Sequence, residues 1–260
     1  NAKGKSTIIE ALYMLSHGES PWESQGRNIV RFSPRKNNES EHKKLTSSIS
    51  RIEGTIETDD DIIEVALALD ANGSSTSKRY QIQGSNTNRQ TFLRYINAVL
   101  FSPDMIDLLM YDPSQRRNFL DAHAGKFYPD YYNIHTNYYK VLRQRNSLLK
   151  AIAGKRYASG RQVDTSTLTY WTKQLTELGT EIMANRIELI EKINRHSDLY
   201  PTEITYQPKV LLHDLSDLGD MEHIRELFEE ALKKTCQKEQ IIGTTLVGPH
   251  RDDWHLTDKN

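Results

Sequence analysis

Asn1-Ala2-Lys3-Gly4-Lys5-Ser6-Thr7 opens the chain, and Ile8-Ile9-Glu10-Ala11-Leu12-Tyr13-Met14-Leu15 follows at once. The first stretch ends as a phosphate-binding P-loop ends, in G-x-x-x-x-G-K-[ST]. Each residue type has a physical job there. Gly4 lets the backbone approach an anion and tolerates positive φ. Lys5 reaches the β and γ phosphates as a point charge, and Ser6 offers a hydroxyl to Mg2+. Backbone N–H groups of the loop and of the next helix converge on phosphate oxygens. Ile8, Ile9, Leu12, Tyr13 and Leu15 recur at helical spacing until His17-Gly18 breaks the run. The spacing therefore predicts a helix whose positive end faces the anion. The motif's first glycine and the strand before it would fall upstream of Asn1. A chance Gly-Lys-Ser-Thr in a lysine-containing loop is the competing reading; the apolar helix directly behind it favours the phosphate loop.

Outward from this point, residues 16–47 are rich in Ser, Asn, Pro and charge and read as loop. Three strand-like runs follow. Residues 48–57 alternate loosely. Ile63, Val65, Leu67 and Leu69 alternate with Glu64, Ala66, Ala68 and Asp70, and residues 78–83 form a third run. Turn residues at 58–61 and 71–74 separate them, which predicts an antiparallel meander with one wet face. A short helix carrying Phe92 and Ile96 leads to Ala98-Val99-Leu100-Phe101, a compact apolar run suited to a buried strand. From Asp112-Pro113 onward the texture is helical, with Asp112 as cap and Pro113 in the first turn. Tyr138, Val141, Leu142, Leu148, Leu149 and Ile152 form one apolar stripe. After a polar turn at 154–167, Leu168, Trp171, Leu175, Leu178, Ile182, Ile187, Ile190 and Ile193 form another. Two long helices joined by a turn make an antiparallel hairpin. Strand signal returns at Ile204-Thr205-Tyr206, an amphipathic helix covers 224–232, and residues 243–253 read as strand and turn. No internal repeat is visible.

Bulk properties bound the function. The chain has 260 residues, 37% hydrophobic and 27% charged, with 34 basic and 35 acidic residues and a net charge of -1. It is long enough for a real core, and any basic surface must be local. Cys236 is the only cysteine, which excludes an internal disulfide framework and a multi-cysteine zinc site and fits a reducing, cytoplasmic setting. No run approaches the roughly 18 apolar residues of a membrane span, and no charged-then-apolar leader opens the chain, which does not begin with Met.

Five segments, in order, resemble the RecF recombination-mediator family. These are 1–15 with its P-loop and first helix, Leu100-Phe101-Ser102-Pro103-Asp104-Met105, Pro113-Ser114-Gln115-Arg116-Arg117-Asn118-Phe119-Leu120-Asp121, Leu142-Arg143-Gln144-Arg145-Asn146-Ser147-Leu148-Leu149-Lys150, and Gly248-Pro249-His250-Arg251-Asp252-Asp253. Residues 18–47 match poorly. The resemblance implies an α/β (α+β) fold: a P-loop ABC-type ATPase head, related to SMC and Rad50 heads, with an antiparallel β-meander and an inserted helical-hairpin arm. It implies a division into head lobe 1–112, arm 113–200 and returning head segment 201–260. It implies ATP and Mg2+ as cofactors and an ATP-dependent homodimer that clamps DNA at single-strand/double-strand junctions. Slow, DNA-dependent hydrolysis would reset that clamp, and RecO/RecR-type partners would act with it to load RecA, away from any membrane. The signature motif and the Walker B carboxylates are expected beyond Asn260, so no catalytic residue is assigned within these 260 residues and the chain alone is expected not to turn over.

The candidate ATP site is Asn1, Ala2, Lys3, Gly4, Lys5, Ser6 and Thr7, with Ser6 on Mg2+. Asp104 is either a lid or Q-loop residue or the end of a Ser-Pro-Asp turn. Arg116 and Arg117 are either DNA-phosphate contacts or surface charges, with Asp121 as an ion-pair partner. Arg143, Arg145 and Lys150 are either a basic stripe for DNA or a solvated helix face. His250, Asp252 and Asp253 are metal-ligand types that also suit a tight turn, and Trp171 reads as core before it reads as a base-stacking platform. A small-molecule P-loop kinase would want a compact parallel core, which the meander and hairpin oppose. Gly4, Lys5 and Ser6 oppose a clamp module with a dead nucleotide site. An SMC-like head is a neighbouring alternative, and an overcoming-lysogenization-type nuclease would need a further acidic metal domain.

Overall fold

The computed structural model describes residues 4–23, 26–30, 48–59, 61–72, 75–102, 112–159, 166–196, 201–209 and 220–258. They fall into two units, Asn1–Phe101 and Ser102–Asn260.

In the first unit, α1 (Lys5–His17) and the short α2 (Gly26–Ile29) precede four strands, β1 (Ser48–Glu57), β2 (Ile62–Asn72), β3 (Ser75–Ile82) and β4 (Ser85–Thr87), and α3 (Arg89–Leu93). The strands form one antiparallel sheet in the order β1-β2-β3-β4. This is the expected meander plus a strand too short to show as a periodic run. Gln83 (φ 49) and Gly84 (φ 72) make the two-residue turn that pairs Ile82 with Ser85; positive φ at both positions matches the twist of the flanking strands. Val65, Leu67 and Leu69 are buried with Met14, Leu15, Tyr80, Phe92 and Leu93, so the alternation along β2 did select the core face. A Cβ at Gly54 would stand 3.0 Å from Leu15 Cδ1, so a glycine in β1 lets α1 lie close on the sheet.

Residues 96–102 form no strand, which corrects the reading of 98–101 as a buried strand: Val99 is 89% and Phe101 84% exposed. A run apolar on both faces becomes a strand only when neighbours supply a ladder and two covers, and no described strand pairs with it.

The second unit contains α4 (Pro113–Phe127), α5 (Tyr131–Ser159), α6 (Ser166–His196), β5 (Thr202–Gln207), α7 (Met221–Ile242) and β6 (Asp253–Asp258). Asp112 caps α4 by accepting from Ser114 N at 2.7 Å, with Pro113 in the first turn, as the sequence predicts. The hairpin forms, but its helices run through Ser159 and restart at Ser166. Residues 154–159 and 166–167 are thus helical where the sequence predicts a turn; one glycine inside a helix, here Gly154, costs only about 1 kcal/mol. Likewise α7 extends well past 224–232 at both ends, capped by Asp220 and stopped by Gly243 at φ 81. Tyr138, Val141, Leu142, Leu175, Ile182, Ile187 and Ile190 join Phe228 and Leu232 in one core. Each fully buried apolar side chain is worth roughly 1.5–3 kcal/mol. Trp171 packs half-buried against this core. β5 and β6 pair antiparallel, Tyr206 opposite Trp254.

Candidate functional sites

α1 is built as a helix with one end held and one end open. At its C-terminus, Gly18 (φ 75) returns its N–H to Met14 O at 2.8 Å. Arg89 Nη2 donates to His17 O at 3.1 Å and Lys78 Nζ to Gly18 O at 2.8 Å. Two cations thus meet the negative end of the helix dipole. Burial lowers the Lys78 pKa, an effect that Glu19 opposes. Ser16, fully buried, bridges the chain at 96–98, donating to Ile96 O (2.9 Å) and accepting from Ala98 N (2.9 Å).

At the N-terminus the situation reverses. Gly4 occupies the left-handed region (φ 76, ψ 10), no side chain caps the helix, and no acidic residue lies in its first turn. Among the described residues nothing stands within 4 Å of where a Gly4 Cβ would be, and Lys5, Ser6 and Thr7 are all exposed. The first N–H groups of a helix have no intrahelical partner, so here they point outward beside a lysine and a serine. That donor set fits phosphate oxygens, and the Ser6 hydroxyl fits a Mg2+ held mainly by phosphate and water. Among the described residues no group of three His, Cys, Asp or Glu side chains could hold a metal by itself. Asn1, Ala2, Lys3 and Asp104 lie outside the described residues.

The second unit is organised around buried guanidiniums that the sequence alone did not single out as structural. Arg186, 1% exposed, donates from Nε to Asp121 Oδ1 (2.8 Å), from Nη2 to Asp121 Oδ2 (2.9 Å) and from Nη1 to Pro249 O (2.8 Å). Tyr131 and His135 also bond Asp121. Burial alone would raise that carboxyl, but the Arg186 charge and the His135 bond outweigh it and hold it well below the usual range. Arg145, also 1% exposed, donates to Thr172 Oγ1 (3.0 Å), Thr245 Oγ1 (2.8 Å) and Glu239 Oε2 (2.7 Å). This corrects its place in a basic stripe: a guanidinium with all three nitrogens spent inside the core presents no charge to DNA. Its stripe companions Arg143 and Lys150 are exposed.

Arg116 takes Asp253, not Asp121, as its partner, through Nε–Oδ1 and Nη2–Oδ2 contacts of 2.7 Å each. Arg117 donates to Asp252 O at 2.9 Å. Asp252 is buried and accepts from Tyr206 Oη (2.7 Å) and Lys209 N (2.7 Å); burial raises its pKa against those two bonds. The Tyr138 hydroxyl meets His250 Nδ1 at 2.7 Å, and Nε2 faces Thr245 O at 3.4 Å. Burial pushes the His250 pKa down to about 4, and the charges of Arg251, Arg117 and Arg145 push the same way. His250, Asp252 and Asp253 therefore have separate structural partners, as the tight-turn reading expects. Those pairings join residues 46, 112 and 137 positions apart, spans across which local sequence pattern carries no signal.

A mixed helix-and-strand head with this open helix start has the fold of a P-loop ABC-type ATPase head. Its similarities are specific. No protein-family model matches the chain. Against the "DNA replication and repair protein RecF" of Bacillus cytotoxicus it is 31% identical over 265 residues, covering 97% of this chain and 63% of that one. The corresponding protein of Bacillus thuringiensis gives 31% identity, 97% and 64%. Two solved structures, the recombination mediator RecF with ATPrS and with ATP in the RecFOR pathway, superpose with TM-scores of 0.78 and 0.77 at 25% identity, each covering 100% of this chain. The chain is similar to these RecF proteins over 97% of its length, and it spans slightly less than two thirds of the curated relatives it matches. No helix among the described residues is long and apolar enough to cross a membrane.

Proposed function

We propose that this chain is the nucleotide-binding and helical-arm portion of a RecF-type DNA-repair ATPase. The observation that carries this is the uncapped N-terminus of α1 behind a left-handed Gly4, with Lys5 and Ser6 as its first exposed residues. Homology to RecF, and to RecF structures described with ATP and ATPrS, supports the nucleotide as ATP.

In this reading the triphosphate lies against the amides of residues 4–7, with Asn1, Ala2 and Lys3 completing the loop. Lys5 neutralises the outer phosphates, and Ser6 ligates Mg2+. Two copies close on ATP and clamp DNA at single-strand/double-strand junctions, RecO/RecR-type partners join, and RecA is loaded; slow hydrolysis releases the clamp. Asp104 serves as the lid residue. Residues 1–112 and 201–260 act as head and 113–200 as arm, whose exposed Arg143 and Lys150 meet DNA phosphates.

Retention of labelled ATP with Mg2+ at low salt tests the reading. Wild type should retain ATP. Lys5→Ala should lose about tenfold or more, the worth of a charge-assisted phosphate contact, at unchanged melting temperature because Lys5 is exposed. Equal retention by the two proteins, or none by wild type, rejects it.

A further inference from the structure

The loop at 244–253 is held far more tightly than a connection needs. Gly248 sits at φ 122, and a Cβ there would stand 2.8 Å from both Phe228 Cζ and Tyr138 Oη. Thr245 N donates to Asn146 Oδ1 at 2.8 Å, and Leu246 N to Glu239 Oε1 at 2.8 Å. Pro249 O accepts from Arg186, His250 bonds Tyr138, and Arg251 N closes a turn on Gly248 O at 2.8 Å. Asp252 is anchored by Tyr206 and Lys209, Asp253 by Arg116. Nearly every residue of the loop is spent on fixing the backbone. The exception is Arg251, which is exposed and whose side chain, among the described residues, makes only a 3.4 Å contact to Thr245 O.

Charge bookkeeping isolates the same residue. Arg186 is matched by Asp121, Arg145 by Glu239 and Arg116 by Asp253. Among the described residues neither Arg117 nor Arg251 has a carboxylate within ion-pair distance, and Arg117 reaches the backbone of the residue next to Arg251. The nearby Asp252 carboxylate is buried behind Tyr206. What remains at the surface is the positive charge of Arg251 on a backbone fixed by many hydrogen bonds, with half-buried Arg117, whose charge also acts on Asp112 and Asp252, next to it. Such pre-organisation lowers the ordering cost of a contact, and Arg is the side chain suited to phosphate oxygens.

We propose that Arg251, with Arg117 beside it, is a phosphate-contacting site for the sugar-phosphate backbone of nucleic acid, separate from the arm face of Arg143 and Lys150. An arginine held out from a loop suits a polymer backbone passing over a surface, whose phosphates it can meet without contacting the bases. The site rests on the DNA reading above and adds a location to it.

The test is fluorescence anisotropy of a labelled duplex with the 260-residue chain across a salt series, run on wild type, Arg251→Ala and Arg251→Lys, with labelled-ATP retention measured on the same proteins. Arg251→Ala should weaken duplex binding and lower the slope of log K against log salt by about one. Arg251→Lys should restore most of the slope, and both variants should melt as wild type does. Duplex binding by Arg251→Ala that equals wild type in affinity and slope overturns the site while leaving the DNA reading standing. No duplex binding by wild type overturns both. Loss of ATP retention in Arg251→Ala with duplex binding untouched overturns the nucleic-acid assignment in favour of nucleotide phosphate.

Discussion

Arg186 and Asp121 meet through two parallel hydrogen bonds, 2.8 Å from Nε to Oδ1 and 2.9 Å from Nη2 to Oδ2, with side chains 1% and 9% exposed. One residue comes from α6 and the other from α4, and the same guanidinium reaches Pro249 O. The pair therefore ties the hairpin to the helix before it and to the loop that carries Arg251. Breaking one side strands a buried charge. Asp121→Asn should lower unfolding stability in urea by about 3–5 kcal/mol, whereas the double change Arg186→Met with Asp121→Leu should cost much less. A single variant as stable as wild type would show the pair to be solvated in solution.

Arg145 and Arg143, two residues apart on α5, should behave oppositely. Arg145 is bonded to Glu239, which is itself fully buried, so Arg145→Ala should cost about 3–5 kcal/mol. Arg143 is exposed, and Arg143→Ala should change stability by no more than about 0.5 kcal/mol while weakening duplex binding at low salt. Urea midpoints and anisotropy on the two proteins decide this, and similar stability losses would contradict the burial.

His250 supplies a pH signature. Burial, together with neighbouring arginine charge, pushes its pKa down to about 4, against about 6.5 for an unfolded histidine. Below that unfolded value the unfolded chain takes a proton that the folded chain refuses. The contribution of His250 is thus complete above about pH 6.5 and is lost progressively as pH falls toward 4, by an amount on the order of 3 kcal/mol at most. Urea unfolding of wild type and His250→Gln from pH 7 to pH 4 should show a shallower acid loss in the variant. Parallel pH curves would place His250 in water. An NMR titration of the ring gives the same answer directly.

Much of this chain is written in local pattern. Period-two alternation along 63–70 selects the buried face of β2, and Asp112-Pro113 marks the start of α4 through capping chemistry that spans three residues. The apolar stripes of 138–152 and 168–193 describe the hairpin because each helix must bury one face. The Gly4-Lys5-Ser6 start of α1 is legible for the same reason: the amides it presents belong to consecutive residues. These features depend on neighbours within one turn or one strand pair, and such neighbours are adjacent in the sequence.

The arginines mark the limit. Arg116, Arg143, Arg145 and Arg186 share one residue type, and nothing around them in the sequence separates the exposed Arg143 from the half-buried, paired Arg116 or from the fully buried Arg145 and Arg186. Their fates turn on Asp253, Glu239 and Asp121, which lie 137, 94 and 65 residues away from Arg116, Arg145 and Arg186. The apolar run 98–101 fails as a strand for a related reason, since a ladder requires a partner that its own residues cannot supply. Sequence by itself determined most of the elements, the Asp112 cap and the Gly4-Lys5-Ser6 start of α1, all short-range consequences of backbone geometry and burial. Tertiary structure alone decided which charges are buried and which face water, because a guanidinium enters a core only where packing delivers a carboxylate to meet it.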